Sequence, residues 1–454
     1  MKNMTLEQMA AGIGGQLFVP ESYEHLKKEV QGVVIDNRNI QPGDLFVPIR
    51  GARVDGHTFI PDAFARGAMA VLSDHVLPEV PGPYILVDNT EQALKQLAAY
   101  YRRQLDTYVI GIIGSVGKTS TKEMVASVLK EHFTVLKTEG NLNNEIGLPL
   151  TLFRIRDCHQ VAVVEMGISD FGEMDRLGAM AQPNMVILTN IGLCHLENLK
   201  TRDGILQAKT EVFAHMRPDG VVILNGDDDK LRGADTRGME THFFGRNGQE
   251  FFADDVVSGL QEVQMRLHTP TWEQQICVPI AGEHNAYNAL AATAAGTILG
   301  MSQQEVVHGL ANSATISGRN HLITAHGMTI IDDCYNANPV SMRASLEVLS
   351  HAQGRKIAVL GDMGELGADE GRLHYEVGEA VVSYGIDLLF TAGELSRQMA
   401  QAVMDHPGTT QVFSYDTKED LLAELKQQIK KGDTILVKAS HFMDYPQIVK
   451  AITE

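Results

Sequence analysis

The chain has 454 residues, 44 % of them apolar and 21 % charged, with a formal charge of −19. That length is too great for one hydrophobic core and sets an expectation of about three domains at ~150 residues each. The acidity, with no Lys/Arg cluster, argues against a nucleic-acid partner, and no apolar run approaches the ~20 residues of a membrane span.

The start of the chain is polar and carries no signal-peptide core. Cys158, Cys194, Cys277 and Cys334 are scattered without a CxxC pair, which reads as reduced thiols in a cytoplasmic protein and not as a zinc site. A phosphorylated substrate stays compatible with the charge, because local cations and helix N-termini can hold phosphate.

Residues 1–104 read as a small mixed domain, with strand-like runs at 33–35, 45–48, 70–72 and 84–87 and a helical run at 91–104. Residues 105–316 read as a second domain. Its apolar runs at 109–113, 161–164, 185–188 and 221–224 alternate with helical segments, the first at 118–131, as a largely parallel sheet requires. Further strands are expected at 263–267 and 275–278, before a helix at 285–299. Residues 317–454 repeat the alternation. Strands are expected at 328–331, 356–360, 388–390 and 434–437, with helices from 340, near 373–383 and 395–403, and at 418–430. The expected fold class is therefore α/β in three domains. A small mixed N-terminal domain precedes a central P-loop ATPase-type parallel sheet and a C-terminal Rossmann-like open sheet.

The strongest local signal is residues 114–119, between an apolar strand and a helix. Gly114, Ser115, Val116, Gly117, Lys118, Thr119 and Ser120 suit a phosphate cradle. Glycines let backbone N–H groups turn toward phosphate oxygens, the lysine reaches the β- and γ-phosphates, and the threonine hydroxyl can hold Mg²⁺. The general G-x-x-x-x-G-K-[ST] pattern is shortened here, because Ile112 stands at its first glycine position. Glu165 follows the strand at 161–164, where it is either a metal carboxylate or a solvated loop acid. Lys209 falls on the apolar stripe of an expected helix at 203–215, flanked by Ile205, Leu206, Val212 and Phe213. It is there either buried with a lowered pKa or a lysine whose stem covers the stripe. His195 is either a metal ligand or a surface histidine.

Taken together, these pieces resemble the ATP-dependent Mur ligases of bacterial cell-wall synthesis. The similar stretches, in order, are 35–38 (IDNR), 42–46 (PGDLF), 55–57 (DGH), 114–119 (GSVGKT), 140–147 (GNLNNEIG), 165–167 (EMG), 189–192 (TNIG) with His195, 208–211 (AKTE), 282–288 (GEHNAYN), 318–319 (GR), 332–339 (DDCYNANP) and 360–367 (LGDMGELG). They cover nearly the whole chain, and the last two are most like the dipeptide-adding branch.

The resemblance implies an enzyme that joins D-alanyl-D-alanine to UDP-N-acetylmuramoyl-tripeptide, using ATP and Mg²⁺ through an acyl phosphate, and acting as a monomer. It implies that the N-terminal domain binds the UDP-sugar peptide, the central one ATP and the C-terminal one the dipeptide. Lys118, Lys209 and His195 are the implied catalytic residues. The loop 114–120 would bind phosphates, with Asn285 and Asn288 near adenine and Arg319 and Asp333 reaching the nucleotide on domain closure. Thr119, Glu165, His195 and Lys209 would surround the metal, Lys209 carrying a carbamate. Asn37, Arg38, Asp55, Asn141, Asn144, Tyr335, Asn336 and Asn338 would face the substrates. Asn37 stands where relatives often have serine, and His441 where many have arginine.

Competing readings are another Mur-type ligase such as the tripeptide-forming one, a folylpolyglutamate synthase, a P-loop regulator without ligase activity, and a dinucleotide oxidoreductase. The folate enzyme lacks the N-terminal domain. The last reading rests on glycines at 361, 364 and 367, whose spacing departs from G-x-G-x-x-G.

Overall fold

The computed structural model describes residues 1–454 apart from Ser22, Glu24, Val80, Asn247 and Pro407. Among the described residues the strands form three sheets, giving a three-domain α/β architecture.

The first sheet runs Gln16–Phe18, Tyr84–Leu86, Ala70–Ser73, Leu45–Phe46, Val33–Val34, parallel except at its Gln16–Phe18 edge. Helix Thr90–Arg103, capped by the Asn89 side chain, docks this domain on the next. Its Tyr101 hydroxyl donates to the Ile155 carbonyl at 2.6 Å. The buried Arg102 guanidinium donates to the carbonyls of Ala181, Leu105 and Gln182 and to Asn184 Oδ1. Burial, helped by Arg217, pulls its pKa down to about 10, yet the acceptors keep its donors satisfied.

Among the described residues the central sheet has nine strands. Its order is Val135–Lys137, Val161–Glu165, Tyr108–Ile113, Met185–Leu188, Val221–Asn225, Glu240–Gly245, Phe251–Ser258, Val263–His268, Glu273–Val278. The first seven are parallel, and Val263–His268 runs antiparallel to both Phe251–Ser258 and Glu273–Val278. Strand Tyr108–Ile113 has its chain successors on opposite sides, so its carboxyl end opens onto a topological switch point, where open α/β sheets place ligands. Helix Lys118–Leu129 packs against the alanine-rich helix His284–Ile298, whose small side chains permit close approach. Helix Gln303–Ala311 also comes close to Lys118–Leu129: a Cβ on Gly309 would sit 2.4 Å from Val128 Cα.

The third sheet runs His321–Ala325, Met328–Asp332, Thr434–Lys438, Lys356–Gly361, Leu388–Ala392, Gln411–Tyr415, antiparallel only at its first pair. The carboxyl ends of Met328–Asp332 and Thr434–Lys438 face the central domain's phosphate loop across one cavity.

Several elements depart from the sequence reading. Strands Val135–Lys137, Glu240–Gly245, Phe251–Ser258, His321–Ala325 and Gln411–Tyr415 lie in polar or mixed stretches, mostly toward sheet edges, where one face stays wet. The helix expected at 203–215 is α-helical only over Arg202–Thr210 and ends in a 3₁₀ turn, Glu211–His215. Its Glu211 carboxylate accepts from Gly172 N and Asp175 N and so caps the helix Glu173–Ala181. The helix expected near 395–403 is Arg397–Asp405. Among the described residues no helix is long and apolar enough to cross a membrane.

Candidate active site

A cavity of about 840 Å³ lies between the central and C-terminal domains. One wall is the loop after Tyr108–Ile113. Gly117 takes φ +83° as the helix begins, so the N–H groups of the first turn point into the cavity without a competing side chain. At Gly114 an added Cβ would fall 1.9 Å from Thr189 Oγ1, so only glycine fits.

A second loop braces the first. Asn190 Oδ1 accepts from Val116 N–H at 2.9 Å, and Asn190 Nδ2 donates to the Val116 carbonyl at 2.9 Å. Thr189 Oγ1 donates to that same carbonyl at 2.7 Å, Ser115 N donates to the Asn190 carbonyl at 3.0 Å, and Gly192 N donates to Ser115 Oγ at 2.9 Å.

Cations converge on the loop. Lys118 Nζ donates to the carbonyls of Gly114 and Ser115 at 2.9 and 3.3 Å. Lys209 Nζ lies behind the loop, 3.1 Å from the same Gly114 carbonyl, and its side chain is buried. Of the two readings of this lysine, burial is what the structure shows. Desolvation pulls its pKa down to about 8, with Cys194 acting upward and Lys118 downward.

Glu165 ends its strand buried in the cavity wall. Its Oε1 accepts from Asn143 Nδ2 at 2.7 Å, while among the described residues Oε2 has no hydrogen-bond partner and Lys122 Nζ stands 4.0 Å away. An orphaned carboxylate oxygen in a cavity also lined by Thr119 and His195 offers a donor set that suits a hard divalent cation. His195 adopts φ +54° and pairs through Nδ1 with Glu365 Oε2 of the third domain at 2.7 Å. Burial pushes its pKa down against the opposing pull of Glu365, and the charges of Lys209 and Lys118 push the same way as burial.

The opposite wall comes from the third domain. Arg319 Nη2 donates to Thr119 Oγ1 at 2.9 Å, and its guanidinium lies 4.1 Å from the centroid of the Tyr335 ring. Asp333 is held by Lys438 Nζ and Ser345 Oγ, each 2.5 Å from Oδ2, and by Asn320 N. Asn285 and Asn288 hydrogen-bond each other, and Asn288 Oδ1 accepts from Thr121 Oγ1 at 2.8 Å.

Of the residues singled out from sequence, Ser115, Val116, Gly117, Lys118, Thr119, Ser120, Asn144, Glu165, His195, Asn285, Asn288, Arg319, Asp333, Tyr335, Asn336 and Asn338 line this cavity. Asn338 also caps the helix Pro339–Ser350, and Asn144 Oδ1 accepts from Gly147 N at the start of another. Gly114, at the start of the loop, and Lys209, behind it, are not part of the lining, and Asn141 is exposed outside it. Asn37, Arg38 and Asp55 sit in the N-terminal domain and are engaged locally: Asn37 donates to Asp62, Arg38 pairs with Asp36, and Asp55 with Arg50 and His57.

Sequence reasoning did not give roles to Asn143, Asn190, Glu365 or Lys438. The first three lay inside quoted stretches, but the partners of all four are 22 to 170 positions away in sequence, and no local pattern names a partner at such a distance.

Three family models match the chain: "Mur ligase family, catalytic domain" over 29–102, "Mur ligase middle domain" over 112–296 and "Mur ligase, glutamate ligase domain" over 318–441. A Bacillus subtilis protein named UDP-N-acetylmuramoyl-tripeptide–D-alanyl-D-alanine ligase is 39 % identical, covering 100 % of this chain and 99 % of the relative. The crystal structure of MurF from Acinetobacter baumannii superposes with a TM-score of 0.90 at 32 % identity, covering 99 % of this chain and 98 % of that one. MurF from Thermotoga maritima in complex with ADP matches with a TM-score of 0.83 at 28 % identity, covering 93 % and 97 %. On full-length identity above 30 % and three matching domains in order, the chain belongs to the Mur ligase family.

Proposed function

We infer that the chain joins D-alanyl-D-alanine to UDP-N-acetylmuramoyl-tripeptide at the expense of ATP, forming the pentapeptide precursor of peptidoglycan. The observation that carries this is full-length similarity to proteins bearing that name. The cavity supports it, because one space joins a phosphate loop to a third-domain wall of amide and aromatic side chains.

In the reaction, an oxygen of the tripeptide's free carboxylate attacks the γ-phosphorus of ATP, and the bond to ADP breaks. This converts a poor electrophile into an acyl phosphate. The dipeptide amine then attacks the acyl carbon, the tetrahedral intermediate expels phosphate, and nitrogen loses its proton. Lys118, the N–H groups of 115–120 and Arg319 would hold the phosphates and offset charge on the moving phosphoryl group. Asn285 and Asn288 are assigned to the adenine side, with Asp333 keeping Lys438 and the third-domain wall in place. Thr119, Glu165 and His195 would hold Mg²⁺, which when bound supplies charge neutralisation at the phosphoryl oxygens.

Lys209 is proposed to carry a carbamate. Its buried amine, at a pKa of about 8, keeps a neutral fraction able to add carbon dioxide with loss of one proton. A carbonyl-carbon signal in ¹³C-bicarbonate that disappears in Lys209→Arg would establish it. Asn37, Arg38, Asp55, Asn141 and Asn144 are assigned to the UDP-sugar peptide, and Tyr335, Asn336 and Asn338 to the dipeptide. Action as a monomer belongs to the same reading, and four unpaired cysteines support a cytoplasmic setting.

The test is phosphate release from ATP with Mg²⁺ and UDP-N-acetylmuramoyl-tripeptide, with and without the dipeptide, and the product mass. Release that needs both substrates, with a gain of one dipeptide less water, is expected. Turnover only with a UDP-linked dipeptide and a single amino acid would move the chain to the neighbouring ligase. Hydrolysis indifferent to every amine would overturn the ligase reading.

A further inference from the structure

A second cluster of ligating side chains lies in the N-terminal domain, on His57, Asp74 and His75, none of which has a role in the reaction above. His57 ends an Asp-Gly-His turn and is 8 % exposed. Its Nδ1 lies 2.7 Å from Asp55 Oδ1, so the carboxylate orients the ring and leaves the lone pair on Nε2. That buried Nε2 makes no hydrogen bond among the described residues. It lies 3.3 Å from Asp74 Oδ1 without hydrogen-bond geometry, and His75 Nδ1 reaches the same oxygen at 2.8 Å. The two imidazole centroids are 5.2 Å apart. One ligand atom from each of His57, Asp74 and His75 lies within 4.8 Å of the other two.

We propose that His57, Asp74 and His75 form a binding site for a divalent transition-metal ion of the Zn²⁺ class, separate from the nucleotide cavity. Two imidazoles and one carboxylate favour zinc, cobalt or nickel over magnesium or calcium. Tetrahedral zinc holds nitrogen ligands at about 2.0–2.1 Å, so the three donors must draw together. The half-exposed His75 follows the strand Ala70–Ser73 and has the freedom to close that gap, whereas His57 is anchored by Asp55. The opposing contact is Arg50. Its Nε and Nη2 donate to Asp74 Oδ2 and Oδ1 at 2.7 and 2.9 Å, and its Nη1 to Asp55 Oδ2 at 2.6 Å. The guanidinium therefore competes with a metal for Asp74 and gives the proposal a signed test. A bound ion would tie the turn at 55–57 to the end of the Ala70–Ser73 strand.

The full chain, stripped of metal and then saturated with ADP and Mg²⁺ to occupy the nucleotide cavity, is titrated with Zn²⁺ by calorimetry and with Co²⁺ by visible absorption. One Zn²⁺ per chain is expected, with a Co²⁺ spectrum of low-coordinate nitrogen and oxygen ligation. His75→Ala, an exposed change that spares the core, should weaken Zn²⁺ at least about tenfold, and His57→Gln likewise. Arg50→Gln should tighten it. Zn²⁺ should raise the unfolding midpoint of the parent and not of His75→Ala. Equal Zn²⁺ binding by parent and His75→Ala, or none by the parent, would overturn the site and leave the cluster as an ion pair between histidines and Asp74.

Discussion

Replacing Asn190 with alanine removes both side-chain bonds that this residue makes to Val116, in the middle of the phosphate loop. The Val116 carbonyl keeps the Thr189 hydroxyl, but its N–H loses the one side-chain acceptor it has among the described residues. Two net hydrogen bonds at about 1 kcal/mol each, plus the partly buried N–H left unpaired, amount to ~2–3 kcal/mol against the loop's open posture. If that cost is expressed in nucleotide binding, ADP affinity falls roughly 30- to 140-fold, since every 1.4 kcal/mol is tenfold. Isothermal titration of the full chain with ADP measures it directly. Asn190→Asp should fall below alanine, because it keeps the acceptor but sets a second anionic oxygen beside the Val116 carbonyl and the incoming phosphates. ADP affinity for Asn190→Ala within about threefold of the parent would refute the reasoning that this strut holds the loop.

Glu165→Gln should separate activity from stability. Oε1 still accepts from Asn143 while the orphaned anionic oxygen is gone, so the unfolding midpoint should not drop, yet turnover should fall roughly 100-fold or more in a phosphate-release assay. Among the described residues Lys438→Met leaves the buried Asp333 with Ser345 and Asn320 as donors, and urea unfolding should show a loss of ~3–5 kcal/mol that Asp333→Asn in the same chain largely restores. His374 is buried, accepts from Met363 N–H through Nε2 and meets the Glu370 carbonyl through Nδ1, so the fold requires its neutral form and burial pushes its pKa down. Above the usual histidine value of about 6.5 both folded and unfolded chains are neutral there, and its contribution is complete. As pH falls from that value toward the lowered folded one, the unfolded chain takes a proton that the folded chain refuses, and stability drops by up to about 1.4 kcal/mol per pH unit. His374→Asn should flatten that part of the stability–pH curve in calorimetry.

The sequence by itself determined the buried strands and the phosphate loop. Runs such as Met185–Leu188 and Val161–Glu165 are apolar on both faces because helices cover both sides of a parallel sheet, and that composition is visible without coordinates. The loop was legible because glycines, a lysine and a threonine must be contiguous to wrap a phosphate. Strands with a wet face, such as Glu240–Gly245 and Gln411–Tyr415, carry mixed residues and left no such trace. Tertiary structure alone decided the choice for Lys209, whose stripe position fits burial and snorkelling equally until its Nζ is seen on the Gly114 carbonyl. It alone joined Arg319 to Thr119 and His195 to Glu365, pairs 200 and 170 positions apart. Hydrophobic periodicity reports which face of an element is buried, because that is a local property of the chain. Which polar groups meet depends on how separately folded sheets are set against one another, and that is fixed only when the domains pack.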